Sequence, residues 1–147
     1  MKIKSIIAIL LFTSISCCAQ QYDKTYYLLG TLHDYMGKTY FKDHPSKAGD
    51  ILQLHEKDSG IIRRIEDVIG EKFKRIEGVE NWPDCNEFYK LNSLQIADRI
   101  HSFYSFKRWN RDTEGYKIYK GTLKCRKIRK ASKLENTSFL AGLFLTT

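Results

Sequence analysis

Ser93-Leu94-Gln95-Ile96-Ala97-Asp98-Arg99-Ile100-His101-Ser102-Phe103 is the stretch whose reading decides the fold. It runs on through Tyr104-Ser105-Phe106-Lys107-Arg108-Trp109 and, after a turn, through Gly115-Tyr116-Lys117-Ile118-Tyr119-Lys120-Gly121-Thr122-Leu123-Lys124-Cys125-Arg126-Lys127-Ile128-Arg129-Lys130. The first part has helical apolar spacing, with Ser93 placed to cap the first turn. Its predicted inner face is Leu94, Ile96, Ala97, Ile100, Phe103 and Tyr104. Asn110 to Gly115 reads as a turn, and strands are expected from Tyr116 to about Ile128, with Lys120-Gly121 a turn or a bulge.

The same stretch holds the chain's excess charge. From Ser105 to Lys133 there are 11 basic residues against Asp112 and Glu114, a net +9. The whole chain has 25 Lys plus Arg and 17 Asp plus Glu. Without Lys2 and Lys4 of the N-terminal segment the balance is +6, so the rest of the chain is −3. A cationic patch with interleaved aromatics favours an acidic partner and speeds the encounter with it. The residues singled out for binding are Lys107, Arg108, Trp109, Tyr119, Lys124, Arg126, Lys127 and Arg129. The competing reading is a solvated sheet face whose aromatics pack inward.

Met1-Lys2-Ile3-Lys4, the apolar run Ile6 to Ile15 and the small-residue exit Ser16-Cys17-Cys18-Ala19 follow the order of a bacterial secretory signal. The run is too short to span a bilayer. Residues 1–19 are therefore expected to be a signal peptide, and 20–147 one domain long enough for its own core. The rival is lipidation at Cys17 or Cys18, the only case that would place the protein on a membrane. The expected location is periplasmic or extracellular. There the polyanions at hand are acidic proteins, glycans and lipid headgroups, and nucleic acid is disfavoured despite the composition. Cys85 and Cys125 form an even pair suited to a disulfide across a loop of about 40 residues; the alternative is two unpaired small hydrophobes.

Lys24 to Phe41 admits two readings. Asp23 as N-cap, with Leu28, Leu32 and Met36 at helical spacing, predicts a helix from Asp23 to Met36 with Gly37 just past its end. The Tyr and Thr content favours a hairpin turning at Asp34-Tyr35-Met36-Gly37, and that reading is preferred here. His44-Pro45-Ser46 breaks the chain. Asp50 to Lys57 reads as a short strand or a helical turn. Ile61, Ile62, Ile65, Val68, Ile69, Phe73 and Ile76 form a stripe predicting a helix stopped by Gly78, with Gly70 weakening it internally. Glu80 to Asn92 reads as a loop. Phe139 to Leu145 is a short apolar run suited to a buried central strand.

The expected fold class is α+β. It consists of a small antiparallel sheet built from the N- and C-terminal segments, packed on about two amphipathic helices.

Catalytic motifs are scarce. Gly37-Lys38-Thr39 lacks the earlier glycine of a phosphate loop, since Leu32 stands there. His55-Glu56 lacks a second histidine, since Ser59 stands in its place. Asn136-Thr137-Ser138 matches a glycosylation acceptor, discounted beside a bacterial export signal. No catalytic residue, metal ligand or cofactor site is assigned. A non-catalytic binding protein, inhibitor-like or immunity-like, is therefore favoured over an enzyme. The alternatives are a small hydrolase using His33 and Asp34 with His101, and a lipid-anchored structural protein of the envelope.

Overall fold

The computed structural model describes residues 21–32, 39–77 and 87–145. Within these residues the architecture is α+β, with five helices and two small antiparallel sheets of three strands each. In chain order the elements are α1 (Lys24–Thr31), β1 (Thr39–Tyr40), β2 (Asp50–His55), a 3-10 turn (Glu56–Asp58), α2 (Ser59–Ile69), β3 (Lys74–Glu77), β4 (Glu87–Asn92), α3 (Leu94–His101), β5 (Tyr104–Arg111), β6 (Lys117–Leu123), α4 (Cys125–Arg129) and α5 (Lys133–Leu145). One sheet runs β1-β6-β5 and the other β2-β4-β3. The expected pairing of N-terminal with C-terminal segments is found in the first, where Thr39 faces Lys120 and Tyr40 faces Tyr119. The single expected sheet is in fact two.

The segment after Asp23 is a helix and not the first strand of a hairpin. Asp23 Oδ1 accepts from Tyr26 N at 2.9 Å, satisfying a first-turn donor, and residues 26–32 are buried almost all round. The strand propensity of Tyr26, Tyr27 and Thr31 yields to that burial; Thr31 bonds back to the Tyr27 carbonyl at 3.1 Å. The proposed turn at 34–37 lies outside the described residues.

α5 buries α1 and corrects the reading of 139–145 as a strand. Ser132 and Glu135 cap it reciprocally: the Glu135 carboxylate accepts from Ser132 N at 2.6 Å and Ser132 Oγ from Glu135 N at 3.3 Å. Its buried positions are Ser138 and Gly142. Ser138 Oγ accepts from Asp23 N at 2.8 Å, tying the two helices together. Gly30 lies against the Phe139 and Leu143 backbone, and Gly142 against the Tyr27 and Thr31 backbone, so the helices meet with little side chain between them.

α2 carries the expected stripe, with Ile62, Ile65 and Ile69 buried. It ends eight residues before the expected Gly78, because Gly70 adopts φ 73° and donates its N–H to Glu66 O at 2.8 Å. Phe73 remains in the core, but Ile76 belongs to β3. Residues 87–92, expected as loop, form β4, the central strand of the second sheet. α3 follows the expected cap, with Ser93 Oγ accepting from Ile96 N and Ala97 and Ile100 buried, although Leu94 is exposed. The expected strands of the C-terminal third start earlier and stop sooner. Tyr104 to Arg111 is already β5, and Cys125 to Arg129 is helical. Gly121 is neither turn nor bulge but pairs regularly with Phe106; the bulge is in β5, at Trp109.

Candidate functional site

The β5–β6 pair splits the basic and aromatic residues between two faces, as alternation along a strand requires. Tyr104 pairs with Leu123, Phe106 with Gly121 and Arg108 with Tyr119. On that face Phe106 packs 5.0 Å from Tyr40 and 5.3 Å from His101, and Tyr119 lies 6.4 Å from Tyr40. Burial pushes the Tyr104 hydroxyl up to about 12. Burial also lowers the His101 pKa, against an opposing pull from Asp98, so this ring resists protonation. Its Nδ1 is buried without a hydrogen-bond partner. This is the core side of the sheet, and Tyr119 belongs to it.

The other face holds Lys107 opposite Lys120. Trp109 joins them, because the bulge between Arg108 and Asn110 leaves it without a cross-strand partner. Lys120 Nζ stands 4.8 Å from the Trp109 ring centre, an ordinary cation–π distance, yet the indole remains 60% exposed. Lys107, Arg108, Trp109, Lys120, Thr122, Leu123 and Cys125 line an open groove of about 580 Å³. Among the described residues, no carboxylate pairs with Lys107, Arg108 or Lys120. A smaller cavity of about 200 Å³ also has lysines, Lys47 and Lys90. Those two are neutralised, Lys90 by Asp50 at 2.5 Å and Lys47 by Asp112 at 3.6 Å.

The remaining residues expected to bind are arranged differently. Lys124 and Lys127 both donate to Ser102 O, at 3.2 and 3.0 Å, and Lys127 lies 5.0 Å from the Phe103 ring centre. They satisfy a carbonyl at the C-terminal end of α3, where cations suit the helix dipole. Arg126 and Arg129 are exposed on α4, with no acidic partner among the described residues. The structure thus gathers Lys107, Arg108 and Trp109 with Lys120, which the sequence reading had not singled out; pairing register is the signal that would have found it. Cys125 has a free, exposed thiol. Cys85, its expected partner, lies outside the described residues, as do His33, Asp34 and residues 1–20.

His44 is a second feature that spacing did not reveal. It is buried, and its Nδ1 accepts from Ser46 N at 3.2 Å, which assigns the proton to Nε2. Nε2 faces Glu114 Oε2 at 3.3 Å and Asp112 Oδ2 at 3.9 Å. Asp112 Oδ1 in turn accepts from Glu114 N and Tyr116 N, at 3.1 and 2.8 Å. With Lys47 already beside Asp112, the cluster fastens the 42–49 loop to the β5–β6 turn. Among the described residues, no group of three or more His, Cys, Asp or Glu side chains is arranged to hold a metal, and no helix is long and apolar enough to cross a membrane.

No protein-family model, curated protein or solved structure matches the chain.

Proposed function

We propose that this is an exported, non-catalytic binding protein whose outer β5–β6 face engages an acidic partner. The observation that carries the reading is the groove beside Trp109, where Lys107, Arg108 and Lys120 have no compensating carboxylate among the described residues, while Lys47 and Lys90 do. An exposed indole supplies anchor area at low entropic cost, and the surrounding cations steer and select. Export rests on the order of charge, apolar run and small residues in 1–19.

Titration of Trp109 fluorescence tests the binding reading, in a Trp82→Phe background so that one indole reports. A polyanion series of heparin hexasaccharide, a glutamate-rich peptide and anionic lipid vesicles serves as probe. At least one should quench or shift the emission with an affinity that falls as salt rises. The double variant Lys107→Glu/Lys120→Glu should abolish the response. Unchanged binding by that variant, or silence toward all three probes, would overturn the assignment of this face.

A further inference from the structure

Among the described residues, the sheet that carries this face has one long open edge, and it is β5. In the order β1-β6-β5 the opposite edge is the two-residue β1, whereas β5 is eight residues long and, among the described strands, pairs with β6 alone. Ser105 and every residue from Lys107 to Arg111 are exposed, so no other described element covers that edge. An edge strand presents a row of N–H and C=O groups at strand spacing, a template for another extended backbone. From Tyr104 to Arg108 the pairing with β6 is regular; the bulge at Trp109 interrupts that ladder, which resumes with Asn110 opposite Ile118.

The charges say which backbone could add. Lys107, Arg108 and Arg111 lie in β5, which contains no acidic residue. Lysines and bulges are common guards of open edges, and here they oppose a second copy: pairing β5 with β5 would set these cations against one another. An acidic strand meets the opposite condition. Alternation would place neighbouring acidic side chains on its two faces, one beside Lys107 and the next beside Arg108, and an apolar residue further along beside Trp109. Glycans and headgroups can match the charge, but neither carries the alternating donors and acceptors that the edge leaves open.

Resting on the function proposed above, we infer that the partner is a protein presenting an extended acidic segment, which adds to the β5 edge as a fourth strand. Its acidic side chains contact Lys107 and Arg108, and an apolar one contacts Trp109.

The test uses the full chain and a capped synthetic peptide of about ten residues, in which adjacent Glu-Glu pairs, one side chain for each face, are separated by Thr, with one central Leu. A twin peptide of the same sequence is N-methylated through its centre, which removes backbone donors and leaves the charge. Heparin hexasaccharide is the third probe. Strand addition predicts that the parent peptide slows hydrogen exchange at alternating β5 amides. It also predicts that the twin binds more weakly by about tenfold or more, since each blocked backbone bond is worth up to about that factor. Equal affinity of the two peptides would overturn strand addition and leave an acidic partner held by charge alone. Preference for the hexasaccharide with no slowed β5 amides would overturn the peptide assignment in favour of a glycan. Failure of every probe would remove the functional reading along with this one.

Discussion

Replacing Gly142 with Ala sets two physical effects against each other. Helix propensity alone predicts that Gly142→Ala stabilises α5 by about 1 kcal/mol. The contact with α1 predicts the reverse. A methyl at Gly142 would overlap the Tyr27 carbonyl oxygen and lie 2.9 Å from Thr31 N, and both are backbone atoms that no rotamer change can move. Relief requires the helices to separate, over a ridge where Tyr27, Leu28 and Thr31 are 2% exposed or less. Overpacking of this kind costs about 1–3 kcal/mol, and backbone on both sides places it at the upper end. Net of propensity, Gly142→Ala should destabilise by about 2 kcal/mol. For a chain of this length that lowers Tm by about 8 °C. Gly60→Ala is the control, because Gly60 is an exposed helical position with nothing within 4 Å of an added Cβ; it should be neutral or stabilising by up to about 1 kcal/mol. Urea unfolding followed by circular dichroism measures both. A Gly142→Ala protein as stable as the parent would refute the close helix approach.

Gly70→Ala should cost about 1–2 kcal/mol, because φ 73° is strained for an L side chain; the urea midpoint should fall with the slope unchanged. His101 is held below its ordinary pKa by burial, so it favours folding above the unfolded value near 6.5. That contribution is lost as pH falls through the lower folded value. Unfolding midpoints at successive pH values should therefore drop on acidification, and His101→Phe should flatten that part of the profile. Lys124→Met with Lys127→Met removes two donors from the Ser102 carbonyl and should cost about 1 kcal/mol. The same pair should leave polyanion binding at the Trp109 groove near the parent level, which fluorescence titration would read directly.

The elements legible in the sequence are those whose local and tertiary signals agree. Ser93 caps α3 and Ala97 and Ile100 line its buried side, as periodicity requires. The Ile62, Ile65 and Ile69 stripe likewise fixes α2, with Gly70 punctuating it. Errors arose where burial is not one-sided. α1 is buried nearly all round and α5 is apolar beyond its buried stripe, so neither has a clear helical period, and the deciding features are a cap and a pair of glycines. β4 pairs on both edges, and five of its six residues are half-buried, which removes the alternation that marks a strand. β5 has that alternation only at Tyr104 and Phe106 before the bulge displaces it. For the candidate site, composition indicated Lys107, Arg108 and Trp109. It could not separate Tyr119 from Lys107 and Trp109, because opposite faces of a strand are adjacent in sequence, nor bring in Lys120, which meets Lys107 only through pairing.

The bond from the Asp23 amide to Ser138 Oγ closes a separation of 115 residues, and α1 depends on α5 for its cover. During synthesis, at about 5–20 residues per second, the Tyr27-Gly30-Thr31 surface waits roughly 6–23 s for the helix that shields it. Throughout that wait the ridge is open to chaperones, and to the same helix from another nascent chain. A contact of Gly30 and Gly142 with the facing helix's backbone is satisfied equally well by either copy. Exchange of α5 between two molecules is therefore the misassembly that this fold invites when chains are made close together.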